Sequence, residues 1–102
     1  MNAKIIANTI LEQLGGNKFL AMTGARNLVS TEKGGLNFRL PNNFSNKGIN
    51  LVCISLEPCD MYTMKFYKIR GTSMYFIDES TMIYADELKN IFTMITGLDT
   101  HL

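Results

Sequence analysis

The stretch LGGNKFLAMTGARN, residues 14 to 27, decides how the chain is read. It closes one periodic segment, turns on Gly15-Gly16, and runs through Phe19-Leu20-Ala21-Met22-Thr23 to another glycine at position 24. Glycines beside a lysine raise the prospect of a phosphate site. A P-loop, however, carries G-x-x-x-x-G-K-[ST] between a strand and the start of a helix, where backbone N–H groups and the positive helix end meet the phosphates. Here the glycines follow a helix, at its negative end, and no Ser or Thr follows Lys18 to hold magnesium. The dinucleotide pattern G-x-G-x-x-G is also missing. The stretch reads as a joint: helix stop, then Phe19–Thr23 as a short strand, then Gly24-Ala25-Arg26-Asn27 as a tight turn.

On the N-terminal side, Ala3, Ile6, Ile10 and Leu14 recur at helical spacing, with Ala7 and Leu11 beside them. Asn2 is a suitable N-cap for this first helix. On the other side, Leu28–Thr31 reads as the return strand, with Arg26 at the hairpin tip, and Glu32–Gly35 as a second turn. Leu36, Phe38 and Leu40 then alternate with polar residues, the period of a half-buried strand. After the polar loop Pro41–Gly48, INLVCISLEP is nearly continuous hydrophobe, as a central strand requires. MYTMKFYKIRG, SMYFIDES and TMIYA supply further strands. Leu88, Ile91, Phe92 and Ile95 place an apolar face on a last helix over about 85–96, with Asp86 and Glu87 in its first turn and Gly97 after it.

The predicted order is helix, five to six strands, helix. No crossover helices separate the strands, so the sheet is expected to be an antiparallel meander paired in sequence order. Both helices on one face make a two-layer α+β sandwich, a single domain over residues 1–102.

Composition is globular, with 46% apolar and 19% charged residues. No run approaches the ~18 apolar residues that span a bilayer, so a membrane role is not expected. MNAKIIANTILEQ lacks the basic start, unbroken apolar middle and cleavage site of a signal peptide. With only two cysteines, Cys53 and Cys59, the expected location is the cytoplasm. Net charge is +1, unevenly spread: residues 13–77 carry eight basic residues against three acidic, and residues 78–102 five acidic against one basic.

General acid–base or nucleophilic chemistry has few candidates. His101 is the sole histidine, and a Cys59–His101 pair has nothing to align it. Asp78-Glu79 and Asp86-Glu87 are the clustered acids, without the D-x-D-x-D-G pattern of a calcium loop. No enzyme activity, catalytic residue, cofactor or metal is expected. The block MYTMKFYKIR is more suggestive, since Tyr62, Phe66 and Tyr67 interleave with Lys65, Lys68 and Arg70. Aromatics on a basic sheet hold single-stranded nucleic acid. Strand periodicity divides them, with Tyr62, Met64, Phe66 and Lys68 on one face and Lys65, Tyr67 and Ile69 on the other. If the helices cover one face alone, Tyr67, Tyr75 and apolar neighbours stay partly exposed and suit a protein partner or a second copy of the chain.

ILEQLGGNKFLAMTGARN, INLVCISLEPCDMYTMKFYKIRG and IYADELKNIFTMITGL together resemble a family of small proteins encoded by bacteriophages and conjugative elements. The opening block also looks similar to that of type II anti-CRISPR inhibitors of this size. The resemblance implies a non-enzymatic protein in the cytoplasm of a bacterial host, inhibiting a host defence protein such as a CRISPR effector nuclease. It carries over no catalytic residues. The contacts expected from the residues are Arg26, Tyr62, Lys65, Tyr67, Lys68 and Tyr75. The rival expectation is a single-stranded nucleic-acid binder serving a mobile element.

Overall fold

The computed structural model describes residues 2–42 and 45–98. His101 lies outside them. Helix α1 (Ala3–Leu14) and helix α2 (Gly16–Thr23) are followed by strands β1 (Arg26–Thr31), β2 (Gly35–Arg39), β3 (Leu51–Leu56), β4 (Tyr62–Arg70) and β5 (Ser73–Ile83). A turn of 3-10 helix at Ala85–Glu87 leads into α3 (Leu88–Thr96). The five strands form one antiparallel sheet in the order β1-β2-β3-β4-β5, the expected meander.

The ends of α1 follow its residues. The Asn2 side chain accepts from the Lys4 N–H, and the Gly15 N–H donates to the Leu11 and Glu12 carbonyls. Gly15 does not release the chain into a strand. With φ 130° it bends the helix, and a second one begins at Gly16. This corrects the reading of Phe19–Thr23 as a strand. The run buries Phe19 and Thr23, one helical turn apart, while Ala21 between them is exposed. The Thr23 hydroxyl donates back to the Phe19 carbonyl at 2.8 Å. Gly24, at φ 72°, ends α2 in the left-handed conformation, so Arg26 and Asn27 belong to the edge strand β1 and not to a hairpin tip.

The helix-facing side of the sheet contributes Leu36, Phe38, Val52, Ile54, Met64 and Phe66 to the core, alternating along their strands as the pleat demands. Phe19 from α2, Phe38 from β2 and Phe92 from α3 close the centre. Phe19 lies edge-on to Phe92 with centroids 5.0 Å apart, and to Phe38 at 5.6 Å. Such contacts add about 0.5–1.5 kcal/mol per pair beyond the burial of their area. Phe19 therefore ties α2 to both layers, which a strand at that position could not do.

Ala85 already belongs to the 3-10 turn, and SMYFIDES and the first three residues of TMIYA form the single long strand β5, interrupted twice. Its register against β4 shifts between Phe66 and Tyr67 and again between Tyr62 and Met64, near Met82 at φ 56°. Extra residues at these bulges bend an exposed edge away from flat pairing. Among the described residues, no helix is long and apolar enough to cross a membrane.

Candidate partner-binding face

All three helices pack on one side of the sheet, and the opposite side is left uncovered by the described residues. Directly paired residues share a face, so the register writes out its rows. One row runs Arg26, Arg39, Leu51, Tyr67, Phe76 across all five strands. The next runs Val29, Asn37, Cys53, Lys65, Glu79, and Ile69 stands opposite Met74 beyond the first. The two-residue turn at Gly71-Thr72, with Gly71 at φ 61°, sets these last pairings.

The result is an apolar patch with a charged flank. Phe76 is 58% exposed and Met74 60%, with Tyr67, Leu51 and Ile69 half-buried beside them, while Val29, 56% exposed, stands apart on the β1 edge beyond Asn37 and Arg39. Tyr67 and Phe76 meet edge-on with centroids 5.8 Å apart. Lys65 reaches Glu79 at 3.8 Å, which neutralises one side of the patch. Burial pushes the Cys53 thiol pKa up, against the pull of the neighbouring Lys65 ammonium.

The six expected contact residues do not come together. Arg26, Lys65 and Tyr67 share the bare face. Lys68 stands opposite Tyr75 on the other face, beside the β2–β3 loop. Tyr62 is 4% exposed, and this corrects its assignment to the surface: it packs in the core, opposite Leu56 and Ile83. Burial raises the Tyr62 hydroxyl pKa, and the Asp60 charge adds to the rise while Gln13 opposes it.

Phe76, Met74 and Val29 are exposed residues of this face that are not among the six expected contacts. The signal was the two-residue Gly71-Thr72 turn, which pairs Tyr67 with Phe76 and not with Tyr75. Among the described residues, no group of three His, Cys, Asp or Glu side chains stands close enough to hold a metal ion. The acids take other roles: Asp78 accepts from the Glu79 N–H, and Glu87 accepts from the Tyr84 N–H at the start of the last helical segment. Cys59 is exposed in the turn before β4.

No protein family, curated protein or solved structure matches the chain.

Proposed function

We propose that the protein is a non-enzymatic binder that inhibits a host defence protein by covering part of its surface, with CRISPR effector nucleases the first targets to test. The single observation that supports this most is the bare sheet face, where Phe76 and Met74 are more than half exposed beside Tyr67 and Ile69. Monomeric proteins rarely leave such residues clustered without a partner, and aromatics with methionine suit the centre of an interface. The resemblance of the opening and closing blocks to mobile-element proteins supplies the class of partner and the bacterial cytoplasm as the place of action. A net charge of +1 fits contact by shape better than imitation of DNA.

The nucleic-acid reading draws less support, because Lys65 and Lys68 lie on opposite faces and the Lys65 charge is offset by Glu79. Size-exclusion chromatography with a panel of purified effector complexes tests the proposal. The expected result is co-elution with one member, lost in a Met74→Ser/Phe76→Ser variant and kept in Tyr75→Ser. No complex across the panel would count against it. Elution as a dimer that the same double variant dissolves would assign the face to a second copy. Single-stranded DNA binding that falls steeply with salt and disappears in Lys65→Glu would favour the rival.

A further inference from the structure

A second surface feature lies apart from the bare patch, at the end of the sheet where the β2–β3 loop meets the β4–β5 turn. A cleft of about 440 Å³ is lined there by Asn42, Gly48 and Asn50 from one side and by residues 68–71 from the other. We propose that this cleft binds the phosphate group of a small ligand, with Lys68 and Arg70 as its cationic contacts.

Four observations carry the assignment. First, among the described residues no carboxylate lines the cleft, and neither Lys68 nor Arg70 has an ion-pair partner. Two uncompensated cations side by side repel each other, and a dianion relieves that repulsion. Second, room has been made for the ammonium. Gly48, at φ 72°, lies under the Lys68 stem, where an added Cβ would come within 3.2 Å of its Cδ and Cε and 3.3 Å of Nζ.

Third, the wall is rigid. Asn50 is buried, its Nδ2 donates to the Ile69 carbonyl and to Asn42 Oδ1, both at 2.9 Å, and its Oδ1 accepts from the Ile69 N–H at 2.7 Å. Asn42 is thereby held by its oxygen, and its own Nδ2 has no partner among the described residues, which leaves a donor for an incoming oxyanion. Fourth, the volume falls in the range of about 300–1,000 Å³ usual for small-ligand sites. The two positive charges of Lys68 and Arg70 are balanced by a phosphate dianion and not by a carboxylate monoanion, although an arginine fork accepts either geometry.

The test is an amide-resolved NMR titration of the full chain with inorganic phosphate, at constant ionic strength in chloride. Saturable shifts confined to residues 42, 48, 50 and 68–71 are expected. Arg70→Gln should weaken binding about tenfold, the equivalent of one charge-assisted hydrogen bond. Lys68→Met keeps the stem packed on Gly48 and should do the same, and the double variant should show no saturation while its spectrum stays dispersed. Adenosine 5′-monophosphate forms a second arm: tighter binding than phosphate assigns the site to a nucleotide, and equal binding assigns it to the free ion. Non-saturable shifts spread over all surface lysines, an equal response to acetate, or unchanged binding in the double variant would overturn the assignment.

Discussion

The ring of Tyr67 on β4 stands edge-on to that of Phe76 on β5, 5.8 Å between centroids, on the side of the sheet that no helix covers. Two aromatics placed together in water contribute little to folding and much to recognition. Phe76→Ser should cost no more than about 1.5 kcal/mol in urea unfolding, the upper end for an aromatic pair. It should nevertheless abolish partner binding. A large loss of stability would move the pair from the interface into the fold.

Gly35 opens β2 against β3, with its backbone so close that an added Cβ would collide with the Ile54 carbonyl oxygen and sit 2.9 Å from the Thr31 hydroxyl. Gly35→Ala should therefore destabilise by about 1–3 kcal/mol, as overpacking does elsewhere. The urea midpoint should fall with an unchanged slope. A neutral result would mean that the two strands separate more readily than their pairing implies.

Asn50 does for β4 what a strand neighbour would do, answering both the N–H and the carbonyl of Ile69 with one side chain. Asn50→Ala leaves both groups without those bonds and should cost about 1–3 kcal/mol. Hydrogen exchange supplies the sharper check. The Ile69 amide should lose protection well before amides at the middle of β3.

Cys53 and Tyr62 both hold their protons more tightly in the folded chain than outside it. For groups with raised pKa, stability is fully present below the unfolded value and is lost as pH rises towards the folded one. The loss should begin near 9.0, the ordinary thiol value, and steepen near 10.0, that of a free tyrosine. Urea midpoints measured from about pH 8 to about pH 11 should fall accordingly, and Cys53→Ala should remove the earlier part of the decline. A midpoint that rises with pH would contradict the burial of these groups.

Much of the architecture was legible because local pattern and global fold agree. The Ile6, Ile10, Leu14 spacing could only be one face of a helix, and the Leu36, Phe38, Leu40 alternation only a half-buried strand. Short connections between strands left sequential antiparallel pairing as the natural topology. Of the candidate contacts, Arg26, Lys65 and Tyr67 were placed on one face by the register, whereas Tyr62 went to the core and Tyr75 to the opposite face.

By itself, then, the sequence determined the first helix, the antiparallel meander and the last helix, since each rests on a period that a single segment displays. Only the tertiary structure decided that Phe19–Thr23 is helical, because a run of five apolar-to-neutral residues has no period of its own and Phe19 takes its conformation from Phe38 and Phe92. Only the tertiary structure chose the recognition face as well. A strand shows that two faces differ, but which of them meets water depends on where the helices land, and the bulges in β5 change its alignment with β4 partway along.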